Sequence, residues 1–113
     1  MTLGLLGHWA VWTRSAGEMV ERLKQQNGTN SIDCDWLALD AITTDANAAF
    51  FDAANNYRGV ICGIHEVLYR QGLMTNTLCL DPEERLGPGQ ADKISRVYAD
   101  YPELNDDAFV TEN

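Results

Sequence analysis

The chain has 113 residues, 45% of them hydrophobic and 22% charged, and a formal net charge of −9. That length holds one domain, and that composition excludes wholesale disorder. The acidity argues against binding nucleic acid or an anionic membrane surface, because Arg14, Arg22, Lys24, Arg58, Arg70, Arg85, Lys93 and Arg96 are scattered and form no basic patch.

Met1 to Gly7 is apolar, but it is short and lacks the basic flank of a secretory signal. No apolar run approaches the roughly 20 residues of a membrane span. Trp9, Trp12, Ala16, Met19, Val20 and Leu23 recur at three- and four-residue steps, which predicts a helix from about His8 to Gln26. Glu18 and Arg22 form a favourable pair on it, and Gly17 weakens its middle. Asn27-Gly28 ends it.

A second helix is expected from about Cys34 to Asn55, capped by the Asp33 carboxylate. Its apolar stripe is Trp36, Leu39, Ile42, Ala46, Ala49, Phe50 and Ala53. A third runs from about Val60 to Gln71, with Val60, Ile61, Ile64, Val67 and Leu68 facing inward and Gly72-Leu73 as its stop. Thr75 to Leu80 suits a short extended piece, with Leu78, Cys79 and Leu80 toward the core. After Gly87-Pro88-Gly89, a fourth helix is expected with Pro88 near its first turn, Ile94, Val97, Tyr98 and Tyr101 buried, and Pro102 as its end. The sequence therefore predicts an all-α fold, a small bundle of about four helices. Residues 1–104 form its single domain, and 105–113 are expected as an acidic flexible tail.

No complete catalytic constellation stands out. The weak candidates are His65, Glu66, Tyr69 and Arg70, which share a polar face of the third helix. His65-Glu66 begins a zinc-protease pattern, but Tyr69 occupies the place of its second histidine. Asp40, Asp45 and Asp52 are too widely spaced to form a carboxylate pair, and solvated surface is the better reading. Cys34, Cys62 and Cys79 make no CxxC pattern. They read as small buried hydrophobes, kept reduced in a cytoplasmic setting. Neither a metal nor a cofactor is expected.

From about Thr44 to Val110 the chain resembles the C-terminal end of the dihydrodipicolinate synthase and N-acetylneuraminate lyase superfamily, closest to an uncharacterised bacterial branch. The residues that carry the likeness are the run Thr44 to Asn55, Gly63-Ile64-His65-Glu66-Val67-Leu68-Tyr69-Arg70-Gln71-Gly72-Leu73, Leu80-Asp81-Pro82, Pro88-Gly89-Gln90-Ala91 and Tyr101 to Phe109. Val60, Ile61 and His65 stand where many members have Asn-Pro and a lysine. The resemblance implies the extra helices that follow a (β/α)8 aldolase barrel, in a lyase whose Schiff-base lysine lies on a barrel strand upstream of Met1. The chain is then structural in role, inactive alone, and partnered by a companion barrel domain. The other reading of the residues is an autonomous interaction module that self-associates through a Trp9/Trp12 face.

Overall fold

The computed structural model describes residues 7–113. The fold is all-helical: α1 (Thr13–Gln26), α2 (Asp35–Phe50), α3 (Val60–Arg70), α4 (Gln90–Asp100) and α5 (Asp107–Glu112), with single 3-10 turns at His8–Ala10, Ala53–Asn55 and Pro102–Leu104. Among the described residues there is no strand, and no helix is long and apolar enough to cross a membrane.

The core lies where α2, α3 and α4 converge. Ala46, Ala49 and Phe50 from α2, Val67 from α3, and Ile94 and Val97 from α4 are buried there with Val11, Trp12 and Leu104. The C-terminal half of the expected α2 stripe and Ile94 and Val97 of the α4 stripe are thus buried, Leu39, Ile42, Tyr98 and Tyr101 pack half-buried against them, and Trp36 lies outside the core. On α3 the buried face is turned. Cys62, Gly63 and Val67 are inside, and Ile61 is exposed. The cause is Gly63, which lies so near the end of α2 that a Cβ there would sit 1.9 Å from the Phe50 carbonyl oxygen. Only glycine permits that approach.

The first helix does not run unbroken from His8. Trp12 takes a left-handed conformation (φ 49°) at the N-cap of α1, which turns its indole into the core. There it meets Phe50 and Tyr98 edge-on, with ring centroids 4.9 and 5.1 Å away. Trp12 is therefore a core anchor, not part of an exposed Trp9/Trp12 face. The expected Glu18–Arg22 pair is replaced by Arg14–Glu18 at 2.6 Å, because Arg22 lies over the Trp36 ring.

The second helix stops at Phe50, short of Asn55, because Asp52 is left-handed (φ 55°) and its carboxylate is drawn inward. At its other end, Cys34 holds the N-cap position without a side-chain bond, and Asp33 Oδ1, one residue earlier, accepts from the Asp35 amide at 3.1 Å. Gly72 (φ 76°) ends α3, with the Leu73 amide donating to Leu68 O and the Gly72 amide to Tyr69 O. That double bond pattern satisfies the last carbonyls, although the Leu73 side chain stays exposed. Gly89 (φ 71°) sits at the N-cap of α4, so Pro88 precedes the helix and is not in its first turn. Thr75 to Leu80 forms no strand, and Leu78 and Leu80 point outward, with only Cys79 turned in.

Residues 105–113 are not an irregular tail. They contain α5, and Asp106 is buried beneath it. Asp106 Oδ2 accepts from the Arg14 amide at 2.9 Å and Oδ1 from Gln71 Nε2 at 2.7 Å. The acid so caps the first turn of α1 from 92 residues away. The radius of gyration, 15.1 Å, exceeds the roughly 13 Å of a compact domain this long. Leu23 on α1, Ile32 in the connection and Leu37 at the start of α2 are exposed.

Candidate functional site

The four polar residues on α3 do not converge on a pocket. Glu66 accepts from Arg70 Nε at 2.7 Å, and Arg70 then spends its remaining donors on Ser95 Oγ and the Ala91 carbonyl. The guanidinium also lies 5.7 Å from the Tyr98 ring centroid. This is a half-buried tie between α3 and α4. Tyr69 points to solvent. His65 parts from the group and turns its Nδ1 to Cys79 Sγ, 3.6 Å away.

A second polar cluster was invisible as a pattern in the sequence. The Gln90 side chain is fully buried. Its Nε2 donates to the carbonyls of Ala49, Phe50 and Gly59 at 3.0–3.2 Å, and its Oε1 accepts from the Gly87 amide at 2.8 Å. Asp52 lies beside it, accepting from Asn55 Nδ2 at 2.6 Å and from the Gly59 amide at 3.1 Å. Far from solvated, Asp52 is 1% exposed. Gly59 and Gly87 are small because Gln90 and Asp52 fill the space a Cβ would need. The chemistry is structural: a buried amide closes orphan carbonyls at the end of α2. Beside this hub opens a cleft of about 980 Å³ bordered by Asn56, Tyr57, Arg58, Glu83 and Arg85. Asn56 and Tyr57 on its rim are both left-handed (φ 54° and 61°), and Arg85 and Glu83 form an exposed ion pair there at 3.6 Å.

Asp45 is also not simply solvated. It is clasped by both Arg96 nitrogens at 2.8 and 2.9 Å and by the Tyr101 hydroxyl at 2.5 Å. The Arg96 bonds, then that of Tyr101, hold its carboxyl below the usual range, and the same contact raises the Tyr101 phenol. Asp40 is exposed. In the core, Tyr98 Oη and Trp12 Nε1 are buried and find no hydrogen-bond partner among the described residues, and burial pushes the Tyr98 phenol up to about 12.

The cysteines divide. Cys34 is exposed, Cys62 is buried on the first turn of α3, and Cys79 is half-buried. Cys62 Sγ and Cys79 Sγ lie 3.1 Å apart. Burial, followed by its bond to Cys79, pushes the Cys62 thiol up to about 12. Sequence spacing gave no hint of this pair, since 17 residues separate its members. Among the described residues no three His, Cys, Asp or Glu side chains are grouped to share a metal ion.

No protein-family model matches the chain. No curated protein and no solved structure matches it either.

Proposed function

We propose that the chain is the helical C-terminal segment of an aldolase-like lyase, related to the dihydrodipicolinate synthase and N-acetylneuraminate lyase superfamily, structural in role and inactive alone. The observation that carries this reading is the unpartnered apolar face of α1 and α2. Val20, Leu23, Ile32, Trp36 and Leu37 line an open groove of about 750 Å³ away from the core, with Ile32 75% and Leu37 74% exposed. Contiguous apolar surface of this kind marks an interface, and a companion (β/α)8 barrel is the occupant that the family resemblance supplies.

The arrangement of the resembling residues supports the reading. Asp52, Asn55, Gly63, Gln71, Gln90 and Asp106 all belong to the resembling stretch, and all take part in the interior hydrogen bonds and close approach that join α2, α3, α4 and α5. The lysines fit an absence of chemistry in this part. A Schiff-base amine must be desolvated beside a keto acid. Lys24 is exposed and paired with Glu21, and Lys93 is only half-buried on α4.

Two measurements test the proposal. Borohydride reduction in the presence of pyruvate is expected to leave the intact mass unchanged; a trapped adduct on Lys24 or Lys93 would overturn it. An environment-sensitive apolar dye is expected to bind the chain and to lose most of its fluorescence in Leu37→Asp. A chain that binds no dye has no vacant face for a barrel. The self-association alternative loses Trp12, which is spent in the core, and would have to use this same groove. A dimer that dissociates in Leu37→Asp, seen by sedimentation, would favour it.

A further inference from the structure

We infer that Cys62, Cys79 and His65 form a thiol–disulfide exchange site for small cationic disulfides, which closes an intrachain Cys62–Cys79 bond. The site is independent of the proposed lyase kinship.

Three observations carry it. The two sulfurs are 3.1 Å apart, inside van der Waals contact and about 1 Å beyond bonding distance. The His65 Nδ1 is 3.6 Å from Cys79 Sγ and not from the deeper thiol. A depression of about 520 Å³ is walled by both cysteines together with Leu78, Asp81, Glu84 and Arg85. The pair therefore has an accessible member with a base beside it, a buried member in reach, and room for a small molecule. Asp81 and Glu84 outweigh Arg85 on the wall, which favours a cationic disulfide over an anionic one.

His65 takes the proton of Cys79, and the thiolate attacks one sulfur of the disulfide RS–SR. The bond between Cys79 and that sulfur forms as the RS–SR bond breaks, and the departing thiolate takes a proton to become RSH. Cys62 then attacks Cys79 Sγ, its proton passing to the second sulfur as that is expelled, and the second thiol leaves as RSH. Two protein thiols and RS–SR become one protein disulfide and two RSH, with two electrons passing from protein to RS–SR. Cys79 attacks first because it is the reachable sulfur, and Cys62, with its thiol proton tightly held by burial, acts only once its target is in contact. The new bond pins the irregular segment between α3 and α4 to the first turn of α3.

The test uses the whole chain carrying Cys34→Ser, reduced and then treated at neutral pH with cystamine. The expected product has lost two hydrogens and gained no adduct, and its digest contains a Cys62–Cys79 linked peptide. Cys62→Ser should instead accumulate a stable cysteamine adduct on Cys79. His65→Asn should slow the reaction by roughly tenfold, and the dianion of dithiodipropionic acid should react more slowly than cystamine. Recovery of both thiols unmodified in the Cys34→Ser chain would overturn the proposal. So would adducts on Cys62 and Cys79 separately with no linked peptide. A His65→Asn rate equal to that of the parent would remove the histidine from the site.

Discussion

Two glycines, one on α3 and one on α1, set opposite limits on what the chain tolerates. Gly63 faces backbone: a methyl there meets the Phe50 carbonyl oxygen at 1.9 Å and Gln90 Nε2 at 2.5 Å. Gly63→Ala is expected to cost at least about 2 kcal/mol, since neither α2 nor the fully bonded Gln90 amide can give way. Gly17 in α1 has nothing within 4 Å and ordinary helical geometry, so Gly17→Ala should stabilise by up to about 1 kcal/mol. Urea unfolding of the two variants checks both signs. At Asp45 the expected effect depends on pH. Its carboxyl is held low by Arg96 and Tyr101, so its contribution is fully present above the unfolded carboxyl value of about 4 and is lost as pH falls through the lower folded value. The pair is open to water, with side chains 43% and 38% exposed, and Asp45→Asn is expected to cost under about 1 kcal/mol at pH 7. The gap between the two proteins should shrink as the solution is acidified below pH 4. A gap that widens would contradict the ionised clasp.

At the scale of elements, periodicity specified which faces of α2 and α4 are buried, because Ala46, Phe50, Ile94 and Val97 follow the helical repeat and pack against one another. It failed where single residues turn the chain. Trp12, Asp52 and Gly89 are all left-handed, and each shortens a helix that hydrophobic spacing alone would extend. Tryptophan and aspartate carry no strong signal for that geometry; it is held by contacts that spacing does not show, the aromatic cluster for Trp12 and the Gly59 and Asn55 hydrogen bonds for Asp52. The polar hub was illegible for the same reason. Nothing local marks Gln90 as buried, since the three carbonyls that its Nε2 donates to are 31 to 41 residues away. The thiol pair likewise exists only once the segment after α3 folds back. The last element had the most misleading local signal. An acidic stretch reads as solvated, yet Asp106 serves α1 and Gln71 together. Asp106→Ala should destabilise by about 1–2 kcal/mol, measured by thermal unfolding, while Asp106→Asn retains an acceptor and loses less.

Across the whole molecule, stability is unevenly distributed. The junction of α2, α3 and α4 holds most of the buried side chains, whereas within α1 only Ala16 is buried. The arm is held at its base by Trp12 in the core, by the Asp106 carboxylate on its first turn, and by Phe109 of α5 beneath the Arg14 guanidinium at 4.7 Å. Two of those three restraints come from the far end of the sequence. Loss of the last residues is therefore felt first at the opposite end of the chain. In a variant ending at Leu104, trypsin should cleave after Arg14 and Arg22 sooner than in the 113-residue chain, with the core peptides still protected. Equal cleavage rates at those sites would mean that α1 stands without its clasp. On that expectation, trimming of the acidic residues after Leu104 would open the apolar arm to the next cut.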